Sequence, residues 1–498
     1  ILWQCNIAPK WRVMSNSPFP SDPSAGEPES PETGGYRLIC LIIASALFME
    51  TLDATVLATA LPTLARDFGV RPPSVSIAIT AYLIALSVFI PVSGYMADRY
   101  GARTVFASAI GLFVAGSLAC ALAPALDWMA AARFAQGIGG AMMLPVGRLV
   151  MLRVVPRKDM VNAAGWMMMP GLLGTILGPP LGGFIVALAH WRMIFWINVP
   201  TGLIALWFVL RYIPNIRSDD LPRFDWLGFV LAGGALAGLM AGAELAGPVH
   251  ALQAAVVPLV VGLSLGLVYF LHAKRHPAPL LDFGLLRVQT FRLSWIGGSL
   301  TRLIQGAQPF LLSLMLQYGF GYSPARTGTI TLATALGSVA MKGLAGRVLR
   351  WLGYRKGLIV MGLLGTGVYG TCGFFTPAWP QWAILFVLVA AGFFLSFTFT
   401  AYNTIAYDGI AQEDMSKATS FYTTFQQVTL SLGVCFAATS LQLSMLWRGV
   451  ERPDLPDFAL AFWIVAGVSL CSIFANWRFA HDAGAELTGA PAAGKLEG

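Results

Sequence analysis

The stretch GYMADRYGAR at residues 94–103 has a counterpart, GRVLRWLGYR, at residues 346–355. Each opens on Gly, carries a charged residue four positions on, a second Gly three after that and an Arg two later. These are Gly94, Asp98, Gly101 and Arg103 in the first copy and Gly346, Arg350, Gly353 and Arg355 in the second. Each copy follows the second of a series of long apolar stretches and precedes the third. A basic turn in that position obeys the rule that Lys and Arg collect in cytoplasmic loops. Its recurrence 252 positions later, in the same context, indicates a chain built of two parallel halves. Parallel repeats of this kind place a ligand site near the bilayer midplane and alternate its exposure between the two sides.

The rest of the chain fits that frame. Of 498 residues, 56% are hydrophobic and only 11% charged, too little charge to cover a water-soluble domain and the composition of a lipid-facing surface. A membrane helix needs about 20 mainly apolar residues. Fourteen stretches qualify: 38–61, 76–97, 104–124, 128–152, 161–189, 193–213, 225–247, 252–272, 290–318, 326–348, 357–377, 380–406, 416–445 and 457–479. With the N-terminus inside, 22 of the 32 Lys and Arg fall on the cytoplasmic side and 6 outside, so the bias sets the orientation with both termini in the cytoplasm. The fold expected is an all-α integral membrane protein. It has a loose tail over 1–36, a six-helix half over 37–213, two inserted helices over 214–289, a second six-helix half over 290–480 and a loose tail over 481–498. Ser, Pro, Glu and Gly dominate the first tail, a composition that cannot bury a core, and Met14 is read as the expected start of translation. The net charge of +8 is spread over short clusters, not one patch, so no nucleic-acid partner is expected. The six cysteines have no CxxC or CxxH spacing, so neither a metal site nor a disulfide framework is expected. No GxxxxGK[ST] or HExxH occurs, which speaks against an ATP-driven pump and an enzyme. No cofactor is expected.

Five stretches carry a family resemblance: LDATVLATALP (52–62), the loop of 94–103, RFAQGIGGA (133–141), GTILGPPLGG (174–183) and WRMIFWINVPTG (191–202). Together, and in this order, they resemble the fourteen-helix drug:proton antiporter branch (EmrB/QacA type) of the major facilitator superfamily. The likeness runs from about Tyr36 to Ala480, with Ala58 standing where the family usually has Asn. It implies the major facilitator fold in a bacterial inner membrane. The implied activity is proton-coupled export of hydrophobic or amphipathic small molecules by a monomer that meets only lipid, substrate and protons. It assigns a cytoplasmic gate to Gly94, Asp98, Arg99, Gly101 and Arg103, and the antiporter motif to Gly174, Gly178, Pro179, Gly182 and Gly183.

Chemistry points to specific residues within this frame. An ionisable group inside a span is costly and marks an ion path or a partner, which singles out Asp53, with Glu50 three residues earlier on the same helix face. A cavity acid whose surroundings alternate can exchange its proton with them. Arg133, inside the fourth span, cannot lose its charge, and the resemblance assigns it to proton transfer beside that acid. Arg302 is a second intramembrane cation, and the 252-residue offset lays it over Glu50; the two are expected to pair across the cavity. Lys342 reads as a snorkelling residue. Asp98 is expected to latch onto a facing helix that starts near Met415–Lys417, a role Arg350 cannot copy. A substrate cavity is expected to draw on Arg302, Gln305, Gln308, Tyr402, Asn403, Tyr422, Phe425 and Gln426, with Met and aromatic walls suited to varied ligands. A carrier dedicated to one metabolite on the same scaffold is the alternative.

Overall fold

A computed structural model describes residues 35–155, 160–217, 224–246, 252–277, 279–411 and 414–484; they form helices and turns and no strand. The expected start at Met14 and most of both expected tails lie outside the described residues. The helices are α1 (Gly35–Asp67), α2 (Ile77–Tyr100), α3 (Ala102–Ala121), α4 (Leu126–Val154), α5 (Met160–Leu188), α6 (Met193–Trp196), α7 (Asn198–Tyr212), α8 (Trp226–Leu245), α9 (Leu252–Ala273), α10 (Gln289–Leu314), α11 (Pro324–Thr371), α12 (Gln381–Ile405), α13 (Met415–Arg448), α14 (Leu455–Leu470) and α15 (Ser472–Trp477). Helix satisfies every backbone polar group within the segment, which hydrocarbon demands because it offers no water. Apolar side chains of α7, α8 and α9, among them Trp207, Val230 and Leu263, face outward, as lipid contact requires.

Twelve helices among the described residues are long and apolar enough to cross a membrane. The fourteen-span reading adds one at each of two places. One is α11, 48 residues long with a non-helical break at Gly353, φ 68°. The other is α10, where Arg292, Arg302, Gln305 and Gln308 lower the hydropathy of a 26-residue helix. Gly353 is the counterpart of Gly101, which ends α2 at φ 95°. Glycine reaches this backbone region without the Cβ penalty, so the two sequence copies share one turn geometry.

We call the end of the bundle that carries the 94–103 loop the motif end. At the far end one continuous apolar core joins Leu57, Leu61 and Leu64 of α1 to Phe310, Leu311 and Leu314 of α10 and Leu441 of α13. Beyond α10, the Gln317 amide donates to the Thr59 carbonyl at 2.9 Å and the Tyr318 hydroxyl to the Pro62 carbonyl at 3.3 Å. Towards the motif end the cores are separate: Ile43, Phe106, Val146 and Val150 form one in the first half, while Met341, Leu358, Phe397 and Tyr402 form another in the second. The halves are therefore fused at the far end in this conformation.

Candidate functional site

Asp53 sits midway along α1 and is 2% exposed. Arg133 of α4 donates from Nη1 to its Oδ2 at 2.5 Å. Its Oδ1 accepts from the Gln136 amide at 3.0 Å and from the Asn198 amide of α7 at 2.8 Å. Both amides also donate to the Ser117 hydroxyl of α3, at 3.3 and 2.9 Å, and that hydroxyl donates to the Phe195 carbonyl at 3.1 Å. Arg133 is held from the other side: Nε donates to the Ala78 carbonyl at 2.9 Å, and the guanidinium lies 4.4 Å from the centroid of the Tyr82 ring. Every partner of Asp53 presents an N–H, so the arrangement is built around the charged carboxylate. A buried ion pair is tolerable only when the remaining lone pairs and protons are matched in this way.

The sequence reading found Asp53 and Arg133, and the structure pairs them. It missed Asn198 and Ser117. Asn198 is a polar side chain inside an apolar run, signal enough to single it out; Ser117, one small hydroxyl among many, carries no such mark. Glu50 is half-buried one turn from Asp53, but the expected Glu50–Arg302 ion pair is absent. Arg302 is 3% exposed; it donates to the Tyr422 hydroxyl at 3.2 Å and lies near the faces of Tyr422 and Phe399. In this conformation the two side chains belong to separate environments, one in each half.

A cavity of about 350 Å³ lies between the halves. Ala54, Thr55, Ala58 and Thr59 of α1 and Thr175 and Pro179 of α5 form one wall, and residues of α10, α11 and α12, including Gln305, Gln308, Lys342 and Phe399, form the other. At 100° per residue, the cavity-facing positions of α1 lie opposite Asp53, so one helix carries the buried carboxylate on one face and the cavity wall on the other. Several expected wall residues pack elsewhere. The Tyr402 hydroxyl donates to Asn476 at 2.5 Å and its ring is buried against Gly297. Tyr422 is buried at the Arg302 contact. Gln426 donates to Asn403 at 2.5 Å, and Phe425 packs on Phe421 and Trp295. In this conformation the contacts of these side chains lie within their own half. Lys342, expected to snorkel to headgroups, lies on the cavity wall instead.

The two loop motifs also find their places. Asp98 pairs with Arg153 of α4 at 2.5 Å, within its own half, and not with the start of α13, where Lys417 holds Asp414 at 2.8 Å. Among the described residues no contact joins Asp98 to Met415–Lys417, as befits a bundle whose fused end is the opposite one. Gly174, Gly178 and Gly182 of α5 face Thr51, Thr55 and Thr59 of α1, so close that a Cβ at any of them would collide. Gly183 meets Pro324 and Ala325 at the start of α11, and Gly328 meets Pro179 and Pro180 in return. The antiporter motif thus packs α5 onto α1 within its half and onto α11 across the halves, using the small residues that let membrane helices approach. At the far end Trp191 donates to Asp67 at 2.8 Å and Arg192 to the Ala123 carbonyl at 2.9 Å, which fixes the turn between α5 and α6.

Glu244 of α8 escaped the sequence reading. Its carboxylate accepts from the Ser76 hydroxyl, at the start of α2, and from the Cys435 thiol of α13 at 3.1 Å. One side chain of an inserted helix therefore touches both halves. Glu244→Ala is expected to lower the melting temperature of the purified protein in detergent. The cost is about 1–3 kcal/mol for the hydrogen bonds removed, and Glu244→Gln should recover most of it. Equal melting of the wild type and the alanine variant would deny the tie any structural weight.

The family model described as Major Facilitator Superfamily matches residues 43–282 and 294–495. A Haemophilus influenzae protein named as the transport protein HsrA is 37% identical over 413 residues, 83% of this chain and 89% of its own. An Escherichia coli protein carrying the name multidrug resistance protein MdtD is 36% identical over 405 residues, 81% of this chain and 85% of its own. Among solved structures, the nucleoside transporter NupG superposes with a TM-score of 0.64 at 14% identity, covering 89% of this chain and 98% of its own. A D-xylose-proton symporter gives 0.63 at 12%, covering 89% and 97%. At such identities the two structures speak to the fold alone.

Proposed function

The chain belongs to the major facilitator superfamily, and we propose that within it this multi-pass membrane protein is a proton-driven exporter of hydrophobic or amphipathic small molecules. The observation that carries the proposal is the Asp53 site. It is a buried carboxylate bound to a permanent cation, on the face of α1 opposite the cavity wall. Protonation would discharge Asp53 and remove the charge that binds it to Arg133; α1, freed from α4, could then move the cavity wall. Proton release would restore the pair. On this reading, release would leave the far end fused and Asp53 paired with Arg133. The relative named for multidrug resistance supports the substrate class. We further infer fourteen spans, both termini in the cytoplasm of a bacterial inner membrane, a monomer, and a far end that faces outward. The inserted helices would separate the six-helix halves at 37–213 and 290–480.

The test is drug-induced proton movement. Inside-out vesicles with an acidified lumen and a pH-sensitive dye should report proton efflux when a lipophilic drug is added, and none from vesicles lacking the protein. Arg302 favours a second reading, a carrier for one acidic metabolite. It is a buried cation beside a cavity-lining residue, Phe399, with no carboxylate partner among the described residues. Carboxylate compounds that drive proton efflux where lipophilic drugs do not, with the response lost in Arg302→Gln, would select that reading.

A further inference from the structure

The two inserted helices meet at the motif end in a group of side chains that the transport reading does not use. Asp225 caps α8, where its Oδ1 accepts from the Gly228 amide at 2.8 Å. His272, in the last turn of α9, places Nε2 at 2.9 and 3.0 Å from the two carboxylate oxygens. His276, one turn later, places Nδ1 at 3.9 Å from Oδ2. The three ligand atoms lie within 4.8 Å of one another, and the imidazole centroids are 5.2 Å apart. Both histidines are partly exposed, whereas Asp225 is buried. Lys274, between the two histidines in sequence, turns its ammonium onto the Phe270 ring at 4.3 Å.

We propose that Asp225, His272 and His276 form a binding site for a divalent transition-metal ion of the zinc class. Two imidazoles and one carboxylate are the donor set that such ions prefer. Ligand bonds of about 2.0–2.2 Å in tetrahedral geometry put the ligand atoms roughly 3.4 Å apart. The separations observed bracket that value, so side-chain shifts of a few tenths of an ångström to about an ångström would seat the ion. The carboxylate already orients His272 by a direct hydrogen bond, and the ion would replace that bond with bonds to both partners. The fourth position would open to solvent past the partly exposed histidines, which also give the ion its way in. The scaffold is firm: α8 and α9 approach backbone to backbone, so that a Cβ at Gly238 would lie 2.9 Å from the Gly262 Cα. An ion at this point would staple the cytoplasmic ends of the inserted pair, independently of what the carrier exports.

The test uses the full-length protein, purified in detergent through an affinity tag without histidines and stripped with a chelator. Titration with Co²⁺ should give one ion per chain, with the visible absorption of a four-coordinate site that Zn²⁺ then abolishes. Zn²⁺ should also raise the melting temperature. His272→Ala and His276→Ala should each weaken Co²⁺ binding by at least the roughly 10- to 100-fold that loss of an outer-shell partner costs, and the double variant should melt at the same temperature with and without Zn²⁺. Asp225→Asn keeps a capping residue at the start of α8 and should weaken binding while α8 stays folded. Wild-type binding no tighter than that of the double histidine variant would overturn the proposal. So would stoichiometric binding that survives both substitutions.

Discussion

Asp53→Asn is expected to abolish drug-induced proton efflux while leaving the protein able to bind its substrate. Asparagine has almost the same shape, so α1 keeps its packing against α4 and α7. What changes is the site's ability to hold a proton and the charge facing Arg133. The new amide N–H₂ would face donors from Arg133, Gln136 and Asn198, so at least one donor loses its acceptor. The guanidinium stays buried without a counter-charge. Breaking a buried pair from one side costs on the order of 3–5 kcal/mol, and lower yield of folded protein should accompany the loss of function. Efflux must therefore be compared at equal amounts of inserted protein. Binding of a fluorescent lipophilic drug serves as the second readout. The cavity wall is on the opposite face of α1, so affinity should change by less than about threefold, under 1 kcal/mol. The pairing of Asp53→Asn with Arg133→Gln offers a further check: neutralising both partners should restore stability without restoring coupling. Proton efflux undiminished in Asp53→Asn would remove this carboxylate from the coupling path and leave Glu50, on the same face, as the next candidate.

Much of this site was legible in the sequence, and what was not has a physical reason. An ionisable group in an apolar stretch stands out because hydrocarbon penalises it, so Asp53, Arg133 and Arg302 were visible without coordinates. The turn shared by Gly101 and Gly353 was visible too, because a backbone conformation that favours glycine leaves its mark at both copies. Pairing over long sequence distances leaves no such mark. Asp53 and Asn198 are 145 positions apart, and nothing in either stretch names the other. The same holds for Glu244, whose partners Ser76 and Cys435 lie in both halves. His272 and His276 have the one-turn spacing of a ligand pair, but their third partner, Asp225, lies 47 positions upstream on another helix. Short-motif reading could not assemble that site. Tyr402 marks another limit: an aromatic residue in a span looks like cavity lining, and in this conformation its side chain is buried in the core of its own half. Composition cannot tell which face of a helix meets its own half. The Asp98 latch belongs to a third class: a contact that depends on conformation cannot be judged from sequence, and here the opposite end of the bundle is fused.

That dependence on conformation makes Gly183 the position where a single substitution should move the whole molecule. A Cβ built on Gly183 would lie 3.0 Å from the Ala325 Cα, and one on Gly328 would lie 3.0 Å from the Pro180 Cα. The contact is backbone against backbone between α5 and α11, so no rotamer change can relieve it. Gly183→Leu must part the two halves at the far end, at a cost typical of overpacking, about 1–3 kcal/mol. That cost falls only on the conformation fused at the far end. Each 1.4 kcal/mol or so shifts a two-state ratio tenfold, so the ratio of far-end-open to fused molecules should rise by about 5- to 140-fold. Spin labels at the exposed residues Arg71 and Arg452, with Cys5 and Cys471 changed to serine, should report a longer distance for Gly183→Leu than for the parent. Gly182→Leu is the control one residue away. Its Cβ would lie 2.5 Å from the Val56 carbonyl oxygen, but Val56 belongs to the same half, so that variant should lose thermal stability in both conformations without favouring either. An unchanged label distance in Gly183→Leu, with the protein folded, would mean that the α5–α11 contact yields locally. The far-end seal would then reside in the apolar core of α1 and α10 together with the hydrogen bonds from Gln317 and Tyr318.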